Sequence, residues 1–181
     1  MKSSLISFAL SVVCLCNAYF FRQSYYSDNQ DYSVKFSTEK AEGSLEGLQG
    51  VVSFSTSDLE ATQINVSVDV ASIRTGNKTK DKHARGSKWF NTKKYPTISF
   101  VSESVSRQGS EYQVTGTLTV KDVSQQHTIE FAAEDIDGIS YLQGSTMVNR
   151  TQFNIRGNSF AFLVGEEVKV DLKVPATFNS N

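Results

Sequence analysis

The stretch INVSVDV, Ile64 to Val70, decides the fold. Ile64, Val66, Val68 and Val70 alternate with Asn65, Ser67 and Asp69. Successive side chains of a strand point to opposite faces, so this period of two marks a strand with one apolar and one wet face. The same alternation runs outward in both directions. Upstream it includes Tyr32, Val34 and Phe36, then Val52, Phe54 and Thr56. Downstream come Ile98 and Phe100, then Val114, Leu118 and Val120, then Ile129, Phe131 and Ala133. A run from Tyr141 to Asn149 contains Met147, and Phe160 and Phe162 alternate with Ser159 and Ala161. The last run sets Val168, Val170, Leu172 and Val174 against Glu167, Lys169, Asp171 and Lys173. Gly47 and Gly50, Arg107 to Ser110, Asp135 to Gly138, and Gly165 with its two glutamates supply the punctuation that hairpins need. No stretch of helical period is long enough for a core helix. The pattern predicts about eight strands, which either close into a barrel or stack as a sandwich. Many inward positions are small. A lumen large enough for one ligand and a lumen filled by side chains both fit that pattern.

One segment breaks the alternation. TGNKTKDKHARGSKWFNTKKYP, Thr75 to Pro96, holds seven Lys and Arg residues and one acid, Asp81, together with the sole Trp, Trp89. It also carries His83, Phe90 and Tyr95. Its net charge is +6, whereas the rest of the chain beyond Ala18 has 10 basic and 18 acidic residues, a net of −8. Such asymmetry describes a patch and its partner rather than a fold.

The first residues, MKSSLISFALSVVCLCNA, read as a secretory signal peptide over 1–18. Lys2 precedes an apolar run from Leu5 to Leu15, and cleavage is expected after Ala18. The run is shorter than the roughly 20 residues that span a bilayer. An uncleaved anchor continuing through Phe21 is the alternative. A polar, aromatic arm follows over 19–30, then the domain over 31–176 and a short tail over 177–181. Both cysteines, Cys14 and Cys16, fall within the signal. The mature chain is therefore expected to use no disulfide, no thiolate chemistry and no Cys-bound zinc.

Catalytic signatures are missing. There is no nucleophile elbow, no phosphate-cradling glycine loop and no His/Cys cluster of metal-ligand spacing. His83 is the one residue on which a hydrolase or isomerase reading would rest. It serves equally as a hydrogen-bond donor to a ligand or as a loop residue bonded to backbone. Trp89, Phe90 and Tyr95 either stack on a ligand or plug one barrel end. His127 shares the parity of Ile129 and Phe131, so it is expected to point inward and to be neutral. The sequons at Asn65, Asn77 and Asn149 carry little weight in so Ser- and Thr-rich a chain.

Taken in order, SIRTGN (72–77), KDKHARGSKWF (80–90), KYPTISFVSESV (94–105), GTLTVKDVSQQHTIEF (116–131) and GSTMVNRTQFNI (144–155) closely resemble the YceI family of exported lipid-binding proteins. The resemblance covers roughly residues 31–176. It implies an all-β fold, an extended eight-stranded antiparallel lipocalin-like β-barrel with a short helical or loop insertion around residues 78–92. It further implies a non-catalytic protein whose apolar lumen holds a polyisoprenoid, an isoprenoid quinone or a fatty-acid derivative. Ser72, Thr75, Gly76, Asn77, Asp81, His83, Arg85, Phe90, Tyr95 and Pro96 match the family pattern, as do Phe100, Gly116, Leu118, Thr119, Gly144 and Arg150. Departures are Ala84, Gly86, Trp89, Asp122 and His127, the last at a usually apolar position. With the inward parity, the resemblance nominates Val66, Val68, Thr75, Asn77, His83, Arg85, Trp89, Phe90, Tyr95, Phe100, Leu118 and Phe131 as ligand-binding residues.

The basic segment is then expected to link two long strands and lie as a lid near one barrel end. Its lysines either face water or meet an anionic head group. The expected function is that of an exported carrier or sequestering protein for a long-chain amphiphile, periplasmic or extracellular. No cofactor, metal, nucleic acid or transmembrane segment is expected in the mature chain, and a homodimer is compatible with it. The competing reading is a surface-interaction protein that binds an anionic polymer, membrane or partner through residues 75–96.

Overall fold

The computed structural model describes residues 32–157 and 164–178. The expected signal peptide, the whole of the arm, the Phe160–Phe162 alternation and the last three residues lie outside the described residues. Nine strands form: β1 (Ser33–Ser37), β2 (Glu42–Phe54), β3 (Gln63–Arg74), β4 (Thr97–Gln108), β5 (Glu111–Val120), β6 (Val123–Ile136), β7 (Ile139–Asn149), β8 (Glu167–Pro175) and β9 (Thr177–Phe178). One helix, α1 (Lys78–Arg85), and two short 3-10 turns, Leu59–Ala61 and Arg150–Phe153, complete the described elements.

Strands β2 to β8 pair with their sequence neighbours, all antiparallel. The sheet closes because β1 bridges its two ends: Val34 faces Leu45 of β2 on one side and Leu172 of β8 on the other. This is the expected eight-stranded barrel, and closure removes the free edges that an open sheet would expose. Thr177 and Phe178, read as tail, instead form β9, which adds to β2 in parallel.

The hairpins follow local chemistry. Asp137 and Gly138 both have positive φ, 54° and 79°, as a two-residue turn matched to strand twist requires. The β5–β6 turn has no glycine. Lys121 itself takes φ 59°, so this turn carried no signal beyond a polar pair between Val120 and Val123.

Gly47 and Gly50 correct the sequence reading. They do not precede a strand but lie inside β2, which begins at Glu42. The β2–β3 register slips between Ser44 and Gln49, so Gly47 marks a bulge, whereas Gly50 pairs in regular register with Val66. At Gly50, φ is 135° and a Cβ would lie 2.0 Å from the Asn65 carbonyl oxygen. Only glycine allows that approach.

The strand ends define two rims. At one, Phe54 is wholly buried and meets Tyr112, Phe131 and Phe178 edge-on, with ring centroids 4.8, 5.6 and 5.4 Å away. Val34, Leu48, Val52, Val114 and Leu142 join the same cluster, which forms a solid floor. At the other rim Val120, Phe153 and Ile155 are buried, with Trp89 and Phe90 packed on them. Among the described residues no helix is long and apolar enough to cross a membrane.

Candidate ligand-binding lumen and its cap

Between floor and cap lies a cavity of about 710 Å³. Its walls come from the alternating faces of the strands: Val66 and Val68 on β3, Phe100 on β4, Leu118 on β5, Ile129 on β6, and Val168 to Val174 on β8. The β-branched residues that favour strands are also short, so facing walls do not meet. Sequence alternation left a filled and a hollow lumen open; the structure is hollow. If each heavy atom of a ligand takes about the 30 Å³ that a water occupies in the liquid, the space holds roughly two dozen.

The 75–96 segment caps this lumen. Asn77 caps helix α1, its side-chain oxygen accepting from the backbone N–H of Thr79 and Lys80 at 2.9 and 3.1 Å. Buried Asp81 accepts from the Thr75 N–H at 2.8 Å and the Thr75 hydroxyl at 2.7 Å. The Thr75 hydroxyl bond, helped by the Thr75 N–H and the nearby Arg85 and Arg74 charges, outweighs burial and holds the Asp81 carboxyl below the usual aspartate range. Arg85 ties the helix to the barrel, donating from Nε to Ala71 O at 2.8 Å and from a terminal nitrogen to Ile73 O at 3.0 Å. The Tyr95 hydroxyl donates to Asp122 at 3.0 Å, and this bond chiefly lowers the Asp122 pKa. Gly157 donates to Lys88 O, and Val70 to Pro96 O.

Protonating Asp81 should loosen the cap. Its folded-state pKa lies below the unfolded one, so its stabilising contribution is complete above about pH 4 and is lost as pH falls through the folded value. The protection factor of the Thr75 amide, its exchange rate relative to the intrinsic rate at the same pH, is expected to fall below about pH 4 in the native protein. In Asp81→Asn it should be low already at neutral pH and nearly unchanged across that range. Equal acid dependence in both proteins would contradict the assignment.

Of the twelve nominated residues, nine line the cavity: Val66, Val68, Thr75, His83, Trp89, Phe90, Phe100, Leu118 and Phe131. The other three, Asn77, Arg85 and Tyr95, do not; they fasten the cap. His83 is exposed, and among the described residues its side chain makes no hydrogen bond. It shares the mouth with Lys40 of the β1–β2 turn and with Lys80, both exposed. Lys40 lay beyond the last alternating residue, so no sequence signal pointed to it. Lys78, Lys82, Lys88, Lys93 and Lys94 are exposed on the outer side of the cap, and none forms an ion pair among the described residues. Buried Arg150 lines the lumen near Trp89, 5.6 Å from its ring, and donates to the carbonyls of Gly165 and Ile155 at 2.6 Å each.

His127 points into the lumen, as its parity predicted. Its Nε2 lies 2.8 Å from the Thr146 hydroxyl, and burial pushes its pKa down, so the ring is neutral at neutral pH. No group of three His, Cys, Asp or Glu residues that could hold a metal occurs among the described residues.

The profile of the YceI-like domain matches residues 25–176. The chain belongs to the YceI-like domain family. Among curated YceI-like relatives, Protein YceI of Escherichia coli O157:H7 is 34% identical over 88 residues, which is 49% of this chain and 46% of that protein. A second, UPF0312 protein plu2095 of Photorhabdus laumondii, is 35% identical over 83 residues, 46% of this chain and 43% of that protein. The aligned part thus spans about half the length of the curated relatives it matches. Among solved structures, BcnA of Burkholderia cenocepacia superposes with a TM-score of 0.75 at 24% identity, covering 81% of this chain and 96% of that one. A domain described as a polyisoprenoid binding domain from Saccharophagus degradans superposes with a TM-score of 0.58 at 14% identity, covering 79% and 90%. At these identities the likeness establishes the shared barrel fold.

Proposed function

We propose that this YceI-like protein is an exported, non-catalytic carrier or sequestering protein for one long-chain amphiphile, working in the periplasm or outside the cell. The apolar tail, a polyisoprenoid, isoprenoid-quinone or fatty-acyl chain, lies in the lumen, and its polar head meets Lys40, Lys80 and His83 at the mouth. The observation that carries this reading is the 710 Å³ apolar space closed by an aromatic floor and open beside three polar side chains. Burying a methylene is worth about 0.8 kcal/mol, so a chain of modest length binds tightly without any reactive group. The binding property named for the Saccharophagus neighbour, on the same fold, supports the choice of chain.

Trp89 is the sole tryptophan and lines the cavity, so it reports on occupancy. Titrating lipid-stripped protein with geranylgeraniol or palmitate is expected to shift Trp89 emission saturably at one ligand per chain. No shift with either would count against the carrier.

A second reading follows from the six exposed lysines of the cap at positions 78, 80, 82, 88, 93 and 94, none of which forms an ion pair among the described residues. There the cap would dock on an anionic polymer or membrane and the barrel would be its scaffold. Salt separates the two readings. Uptake of neutral geranylgeraniol should be insensitive to ionic strength, whereas polyanion binding falls steeply with it.

A further inference from the structure

The β6–β7 ladder runs from Ile136 opposite Ile139 only as far as Glu130 opposite Ser145. Nearer the cap the two strands part, each still paired with its other neighbour. Side chains bridge the gap. The Thr146 hydroxyl donates to Thr128 O at 3.1 Å, and Gln125 Nε2 donates to Gln152 O at 3.1 Å. His127 Nε2 meets the same Thr146 oxygen at 2.8 Å.

These contacts fix the imidazole tautomer. A threonine hydroxyl has one proton, and Thr146 gives it to a carbonyl, which can only accept. Thr146 must therefore accept from His127, and Nε2 carries the ring proton. In the neutral ring Nδ1 is then a bare acceptor. Among the described residues nothing donates to it, and no buried side-chain nitrogen or oxygen is left without a partner. Nδ1 is thus open to the space beside it, and His127 lines the lumen.

We propose that His127 is a specificity-determining residue that selects a lumen ligand carrying a hydroxyl, or another hydrogen-bond donor, partway along its apolar chain. This rests on the carrier reading and adds the chemistry of the cargo to it. An unsubstituted chain would cover Nδ1 and leave it unpaired in an apolar tube, whereas a hydroxyl at that depth satisfies both groups. His127 lies midway along the wall, four residues from Val123 at the rim and four from Phe131 at the floor. At about 3.4 Å per residue and a strand tilt of roughly 40°, that is on the order of 10 Å below the rim. The matching hydroxyl therefore belongs near the middle of an acyl chain rather than beside its head.

The test compares stearate, 10-hydroxystearate and 12-hydroxystearate on lipid-stripped protein, read by Trp89 emission. Native protein should bind at least one hydroxystearate about tenfold more tightly than stearate, and His127→Leu should erase or reverse that preference. In native protein the ¹⁵N resonance of His127 Nδ1 should take the hydrogen-bonded position with the hydroxylated ligand and the unbonded position with stearate. The resonance needs no variant, so it decides the matter even if His127→Leu folds poorly. Equal binding of all three, or the same Nδ1 resonance with stearate as with the hydroxystearates, overturns the role of His127 and leaves the carrier standing. Failure of all three to bind while geranylgeraniol still binds also overturns that role alone; failure of geranylgeraniol as well overturns both.

Discussion

Leu118→Trp is expected to lower affinity for a long-chain amphiphile by on the order of a hundredfold while the barrel still folds. Leu118 sits opposite Phe100 and packs against both the floor cluster and the cap cluster, so it stands at the waist of the lumen. An indole there finds open space in front of it rather than a close-packed wall. The larger side chain therefore avoids most of the roughly 1–3 kcal/mol that overpacking costs in a dense core. It instead blocks the tail's path. Each methylene kept out of the lumen forfeits about 0.8 kcal/mol, so excluding four costs about 3 kcal/mol, or roughly two powers of ten in affinity. Titration with palmitate checks the affinity, and thermal melting checks the fold. Undiminished uptake in a folded variant would place the tail elsewhere.

Phe54→Ala is expected to cost about 3–5 kcal/mol of stability. The ring is wholly buried and is the hub of the floor, touching Tyr112, Phe131 and Phe178 within 5.6 Å. Truncation loses the transfer energy of the ring and leaves a void that three large neighbours cannot all collapse into. Against a typical stability of about 5–15 kcal/mol this is a large share, equivalent to roughly 6–20 °C in melting temperature. Phe178 belongs to β9, so the same substitution should also release the chain beyond Ala176. A melting temperature within a degree or two of the native value would show that the floor does not hold the barrel shut.

How far these features could be read beforehand differs from residue to residue. Alternation at Ile64 to Val70 and along β8 identifies strands directly, because one apolar face is all a barrel wall needs. The same alternation is silent on what stands across the lumen. A ring of valines is compatible with a filled core or a hollow one until the strand count and closure through Val34 set the width. Gly47 and Gly50 were misread because glycine serves turns, bulges such as that at Gly47, and close backbone approaches such as that at Gly50, and only the partner strand distinguishes them. Lys121 occupies a left-handed turn position without the residue that usually announces it.

At the site, parity placed Val66, Val68, Phe100, Leu118, Phe131 and His127 inward. The resemblance brought in Thr75, His83 and Phe90. It also nominated Asn77, Arg85 and Tyr95, which the structure assigns to fastening the cap. A motif records that a residue type is needed at a position. It does not distinguish a side chain that touches ligand from one that holds the loop that does. The Nδ1 acceptor was beyond reach for another reason: it depends on which atom receives the single proton of Thr146, a contact between residues nineteen positions apart.

The most direct measurement is native mass spectrometry of the protein purified gently from its own host, followed by extraction and identification of any bound lipid. The carrier account predicts one amphiphile per chain, with an isoprenoid or acyl tail of a size that fits 710 Å³. A mass equal to the bare chain, unchanged after incubation with mixed envelope lipids, would contradict it.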